Sequence, residues 1–346
     1  ISAFPLVGRG DAYTKENFEI KSALSVTPSG GVLKYSLKDL IGDMRAGLLK
    51  HVRAQLKDWN KIAGKIKTPV CVGDVYLILH TLFGSGSRPL FIATAKTVYL
   101  SGHWRLERFL INKFTLKTWT RDLKSAEQLG KKAIYSGSPI MDLLYEAEDF
   151  HYERGNIILL LPGSRARANK DVKLLLDAAE IMNENGEKNF RMILAPTLNP
   201  EEFFKSCRSY GWERRENSLA KNSLEINLSF ESVAKSVNGV KILLGLGGTA
   251  NQLCAGLGIP VISIDEKGKR VQKKLLGDSE ILVPALPEQL AECALKVLHD
   301  ENLYKSMSNS GIERMGIPGA LDSIIDFTME NLGWEIKNNV FKKFRS

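Results

Sequence analysis

The sequence predicts a two-domain α/β protein whose second domain is a doubly wound parallel sheet with helices on both faces, and three observations lead there. Short aliphatic runs alternate along most of the chain with stretches whose apolar residues recur every three or four positions, the pattern of strands joined by crossover helices. Two of these runs stop at glycine-containing turns that open a helix: residues 157–161 before Pro162-Gly163-Ser164-Arg165, and residues 240–244 before Gly245, Gly247 and Gly248. Charge is divided along the chain, with 22 Lys/Arg against 10 Asp/Glu in residues 1–140 and 25 against 24 in residues 155–346. The change of balance falls in the acidic, loop-like segment DLLYEAEDFHYERGN, so the expected domains are residues 1–150 and 151–346. The last helix is expected to pack back on the first domain.

A chain of 346 residues has room for two such units, and 44% hydrophobic with 25% charged residues is a globular composition. No apolar run approaches the roughly 18 residues that cross a bilayer, and no signal-peptide pattern is read before the first one. Cys71, Cys207, Cys254 and Cys293 are far apart and form no CxxC or Cys/His ligand spacing, so reduced thiols, a cytoplasmic protein and no metal are expected.

In chain order, Val26-Thr27-Pro28-Ser29-Gly30-Gly31 reads as a turn cluster. Residues 38–62 show helical spacing at Ile41, Met44, Leu48, Val52, Leu56, Trp59 and Ile62, with Arg45, Arg53, Lys57 and Lys61 on another face. Such a helix packs on a protein surface or lies on anionic lipid. Residues 69–72 form a short strand, Gly73 permits a tight turn, and Asp74 stands where the next helix begins. Asp74 is therefore both a candidate for chemistry at a strand's carboxyl end and a good N-cap. A strand is expected over residues 88–94. Residues 103–132 carry eight Lys/Arg interleaved with Trp104, Phe109, Phe114 and Trp119, aromatics that belong to a core, a lipid interface or a stacking surface. Ala133 to Pro139 is a short strand and turn.

The second half repeats the alternation: a strand at residues 157–161, a helix starting near Asn169 or Lys170, a strand at 190–196, a helix containing Phe203 and Phe204, a strand near 224–226, a short helix at 232–237, and strands at 240–244 and 260–264 flanking a helix over about 249–257. Two loops here are candidate anion cradles. In the first, free N–H groups at a helix start join Arg165, whose planar fork suits phosphate oxygens, although a plain strand-to-helix connection has the same appearance. In the second, glycines let backbone approach a ligand while Thr249 and Asn251 offer polar groups. A nucleoside diphosphate suits such a pair. The absence of GKS/T and GxGxxG steps argues against NTP hydrolysis and hydride transfer.

The ordered segments SGSP (residues 136–139), LLPGSR (160–165), GGTANQ (247–252) with its following GLGIPV, and GIPGA (316–320) resemble the lipid-A-disaccharide synthases, and more closely the lipid-A-disaccharide synthase-related branch. PSGG and VGD fall in the same order, and the likeness runs along nearly the whole chain from ISAFPLVGRG. The resemblance implies the glycosyltransferase B fold, two Rossmann-like doubly wound parallel-sheet domains with a cleft between them, and an inverting, metal-independent enzyme using UDP-N-acetylglucosamine-type donors, with no cofactor. It implies a donor site at Gly163, Ser164, Arg165, Gly247, Gly248, Thr249, Ala250, Asn251 and Gln252, with Arg165 on the donor phosphate and Gly248 to Ala250 as the diphosphate loop. Where related enzymes carry a ribose-binding Glu, this chain has Asn251, Gln252 and Leu253, and Gln252 can bond a ribose hydroxyl without charge. Asp74 falls on the synthases' essential aspartate and is the expected base, with Gly73, Gly137, Ser138 and Pro139 lining the cleft. A Gly- and acid-containing strand–helix step is expected ahead of the first residue given. The implied partners are a UDP-sugar and a lipid-linked or other membrane acceptor. The basic first domain would lie peripherally on the anionic inner face of a membrane, with no nucleic acid bound. The alternatives on the same fold are a nucleotide-sugar 2-epimerase or hydrolase and a catalytically silent nucleotide-sugar binder.

Overall fold

The computed structural model describes residues 2–6, 13, 18–22, 24, 42, 44–66, 68–147, 150–164 and 167–332. The Val26–Gly31 turn cluster, Arg165 and the basic tail lie outside these residues.

The first half contains β1 (Ser2–Ala3), β2 (Glu19–Ile20), α1 (Leu48–Ile62), β3 (Val70–Val72), α2 (Val75–Ser85), β4 (Leu90–Ala93), α3 (Arg105–Phe114), β5 (Thr118–Thr120), α4 (Leu123–Leu129) and β6 (Ala133–Ile134). Strands β3 to β6 form a four-stranded sheet in sequence order, every pair parallel, and β1 pairs parallel with β2. The basic and aromatic segment around residue 119 thus hides a strand, β5. Its Thr118, Trp119 and Thr120 are all buried, whereas Trp104 is 70% and Phe109 54% exposed. Of these aromatics, Trp119 is core.

The second half runs β7 (Ile157–Leu161), α5 (Ala168–Glu184), β8 (Phe190–Ile193), α6 (Pro200–Ser209), β9 (Glu213–Arg214), β10 (Ser218–Lys221), β11 (Leu224–Ser229), α7 (Val233–Ser236), β12 (Val240–Gly245), α8 (Thr249–Gly256), β13 (Val261–Ile264), α9 (Lys267–Leu276), β14 (Glu280–Val283), α10 (Pro287–His299), α11 (Glu301–Met315) and α12 (Ala320–Leu332). Its eight strands are ordered β14-β13-β12-β7-β8-β11-β10-β9. The sheet is parallel from β14 to β11, but β10 pairs antiparallel with both β11 and β9, an extension that the strand–helix alternation does not signal. The β10–β11 turn places Asn222 at φ 54°, a left-handed conformation that Asn tolerates better than most residues.

The unbroken aliphatic run of β7 follows from burial on both faces. Ile158 and Leu160 join the core beneath α5 and α10, while Leu159 and Leu161 join the opposite core with Val261 and Cys254. Met141 and Leu144, ahead of residue 150, already belong to that second core. In the first half, Phe91 and Ala93 of β4 face α2 and α3, whereas Leu90 and Ile92 face Trp119 together with Ala320 and Ile324 of α12. The C-terminal helix therefore covers one face of the N-terminal sheet. Trp119 Nε1 donates to Ser323 Oγ at 3.0 Å, and its ring meets Phe327 edge-on with centroids 5.4 Å apart.

Candidate functional site

Strands β7 and β12 are neighbours, with Leu161 opposite Gly245, so their glycine loops leave the sheet side by side. Leu246 N–H donates to Leu161 O at 2.8 Å, which ties the loops together at their base. Gly163 has φ +102°, a backbone conformation that favours glycine, while a Cβ there would meet Leu246 O at 3.6 Å, an ordinary contact, so conformation and not space selects the residue. The loops flank a cleft of about 290 Å³. Gly163, Ser164, Gly247, Gly248 and Thr249 line one side, Leu161, Ile193, Val233, Ala234 and Leu253 form an apolar wall, and Glu146, Glu231 and Ser232 also border the cleft. Gly248 and Thr249 are exposed at the start of α8, where N–H groups without intrahelical partners meet the positive end of the helix dipole. Thr197 Oγ1 donates to Ser164 O at 2.7 Å and steadies the first loop.

Asn251 does not face this cleft. It is wholly buried, and its Nδ2 donates to Gly245 O at 2.9 Å, the carbonyl that also accepts Ser263 Oγ at 2.7 Å. It shapes the loop, because a short amide under a helix start can reach the strand end and satisfy a carbonyl. Glu280 lies behind it, wholly buried, its carboxylate facing the Asn251 amide. Burial pushes Glu280 up to about 7 against the pull of Lys269 and Lys273. Burial lowers Lys269 to about 8, and its ammonium donates to Gly247 O at the back of the loop. A polar network therefore braces the second cradle from the side opposite the cleft. None of its charged members was marked by sequence pattern, since Glu and Lys on β14 and α9 look like surface residues.

On the N-terminal side, Gly73 takes φ +131° and Asp74 caps α2, its Oδ1 accepting Tyr76 N–H at 3.1 Å. The residue stays exposed at the carboxyl end of β3. His103 is close by, 6% exposed, with Nδ1 lacking a hydrogen-bond partner. Burial lowers its pKa, while the Glu107 and Asp74 carboxylates oppose that shift. Lys96 pairs with Glu107 at 2.5 Å and lies 4.9 Å over the Trp104 ring. His103 stands alone in a loop without motif spacing, so the sequence carries no local signal for it.

Gly137, Ser138 and Pro139 serve elsewhere than the cleft lined by the glycine loops. Gly137, at φ +134°, is pressed under the turn before α12, where a Cβ would come within 2.8 Å of Pro318 backbone and Ala320 N. Ser138 N–H donates to Ile317 O at 2.7 Å, and the Asp142 carboxylate accepts Gly319 N–H at 2.5 Å and Leu321 N–H at 2.8 Å. The SGSP and GIPGA segments thus form one clasp, which anchors α12 at its N-terminus. Across the halves, Arg121 Nη2 donates to Gln252 Oε1 at 3.0 Å. Among the described residues no group of three or more His, Cys, Asp or Glu is arranged to hold a metal, and no helix is long and apolar enough to cross a membrane.

No protein-family model matches the chain, and a search of curated proteins finds no match. Solved structures do match over nearly the full length. The calicheamicin glycosyltransferase aligns at 12% identity with 95% of this chain and 89% of that one, TM-score 0.56. A protein assigned as a UDP-N-acetylglucosamine 2-epimerase from Listeria monocytogenes aligns at 15% identity, 93% and 91% coverage, TM-score 0.54. The UDP-N-acetylglucosamine 2-epimerase of Neisseria meningitidis, bound to UDP-N-acetylglucosamine, aligns at 14% identity, 94% and 90% coverage, TM-score 0.50. The architecture is the two-domain glycosyltransferase B fold. Nucleotide-sugar 2-epimerases and glycosyltransferases both use it, so the fold by itself names neither reaction.

Proposed function

We propose that this chain is a UDP-sugar enzyme whose C-terminal half holds the nucleotide in the glycine-loop cleft. The observation that carries the reading is the convergence of two glycine loops, from adjacent parallel strands, on one cleft with an apolar wall. The Gly248–Thr249 amides suit a diphosphate, the resemblance assigns Arg165, which follows Ser164 in the sequence, to the donor phosphate, and the apolar wall suits a planar base. The finer reading is inverting transfer of N-acetylglucosamine to a lipid-linked acceptor. In that step the acceptor hydroxyl attacks the anomeric carbon, Asp74 takes the hydroxyl proton, and the bond to UDP breaks as UDP leaves. A lipid acceptor is supported by α3, where Leu106 (67% exposed), Phe109 and Lys113 share a helix face next to exposed Trp104. Such a face fits the interface of an anionic membrane. The 2-epimerase reading has its own support in the solved structures that share the fold.

Thermal-shift titration with UDP, UDP-N-acetylglucosamine, UDP-glucose, ADP and GDP tests the shared part, with selective stabilisation by the uridine compounds expected. Incubation with UDP-N-acetylglucosamine then separates the readings. Conversion of the sugar without acceptor identifies an epimerase or hydrolase, turnover only with acceptor lipid identifies a transferase, and binding without either identifies a silent binder. Absence of any nucleotide effect refutes the site itself.

A further inference from the structure

Arg121 follows β5 and spans the two halves. Its Nη1 approaches Thr94 O at 3.4 Å, and its Nη2 donates to Gln252 Oε1 at 3.0 Å, on the helix that begins with the Gly248–Thr249 amides. Burial lowers its pKa and the Asp122 carboxylate only partly opposes that shift, so the ionised guanidinium is held at a cost in desolvation. The adjacent carboxylate, Asp122, is taken up by Ser125 N–H at 2.8 Å and Ser125 Oγ at 2.9 Å, and no carboxylate forms an ion pair with Arg121 among the described residues. A guanidinium carries five N–H donors, and two neutral acceptors use two of them. A glutamate at position 252 would neutralise this cation; glutamine holds it without neutralising it.

We propose that Arg121 is the N-terminal half's contribution to binding the donor diphosphate. It rests on Gln252 in the free protein and transfers to a phosphate oxygen when a nucleoside diphosphate occupies the Gly248–Thr249 loop. The inference rests on the reading of the cleft given under Proposed function. Charge-assisted bonds from a guanidinium fork to phosphate are stronger than bonds to a neutral amide, which gives the exchange its direction. Because Arg121 and the loop belong to different sheets, a bound diphosphate would join the two halves, and donor occupancy would favour a closed cleft.

Calorimetric titration of the full chain with UDP, inorganic pyrophosphate and uridine, the last by displacement of UDP, tests this in the wild type and in Arg121→Gln, Arg121→Lys and Gln252→Glu. Arg121→Gln is expected to weaken UDP and pyrophosphate about tenfold or more while uridine stays within about twofold, with Arg121→Lys intermediate. Gln252→Glu, which keeps the interdomain contact, is expected to weaken inorganic pyrophosphate, since its carboxylate competes for the guanidinium and pyrophosphate has no ribose for that carboxylate to bond. A lower thermal midpoint in Arg121→Gln with UDP affinity unchanged would make the residue a structural tether and overturn the proposal, as would equal loss of UDP and uridine binding. If the wild type binds no uridine nucleotide, the cleft reading and this inference fall together. If it binds UDP and Arg121→Gln binds it equally well, only this inference falls.

Discussion

The two halves share strand–helix construction, and they present different chemistry at their strand ends. The C-terminal half offers backbone: glycine amides at a helix start, set by a buried network in which Asn251 and Lys269 hold the carbonyls of Gly245 and Gly247. The N-terminal half offers side chains, among them Asp74, His103, Lys96 and Arg121, and it contains three of the five histidines, His51, His80 and His103. Backbone recognition suits an invariant group such as a diphosphate, while side chains suit proton transfer and the variable partner. In the proposed reaction the backbone loops of the C-terminal half hold the donor, and side chains of the N-terminal half meet the acceptor and its proton.

Asp74→Asn is the strongest test of that division. Asparagine caps a helix as well as aspartate does, so α2 should persist by circular dichroism. Transfer should fall about 10²–10⁴-fold, while UDP affinity stays within about twofold. Equal activity in the variant would remove Asp74 as base.

Gly137→Ala tests whether the clasp links the halves. A left-handed φ and a backbone clash at 2.8 Å should cost roughly 3 kcal/mol, read as a lower denaturation midpoint. The α12 helix should lose amide-exchange protection first. An unchanged midpoint would mean that the turn yields easily.

The halves should also differ in response to acid. Trp59 Nε1 donates to His80 Nδ1 at 3.0 Å, so protonating Nδ1 would set two donors face to face in a buried site. Burial, reinforced by His51, lowers His80 to about 4. The unfolded chain binds this proton below about pH 6.5 while the folded chain resists it. Stability should therefore fall as pH drops from about 6.5 towards 4, by roughly 2–3 kcal/mol. His80→Gln, whose carbonyl can still accept from Trp59, should flatten that slope. A slope unchanged in the variant would assign the acid response to other groups.

The smallest effect is expected on the outer surface of α3. Leu106→Glu with Phe109→Glu should weaken co-sedimentation with anionic vesicles about tenfold and leave UDP binding unchanged. Wild-type sedimentation by the double variant would argue against membrane docking at this helix.

The glycine loops and the helix cap were readable locally. Residues 157–161 are apolar on both faces and stop at Pro-Gly, and Asp74 stands at a strand-to-helix step, so period, breaker and cap residues carried the information within a few positions. What the sequence determined by itself was the set of β7- and β12-type strands, the two loops, and the charge contrast between the halves. Only the tertiary structure decided that Trp119 belongs to a buried strand, because its partners Ser323 and Phe327 are some two hundred positions away. It also decided that Asn251 turns inward to Gly245, that SGSP clasps the turn before α12, and that Arg121 reaches Gln252. Periodicity reports which face of an element is apolar, and it is silent about which distant group will satisfy a buried amide or a desolvated cation. Those pairings arise only when the sheets pack.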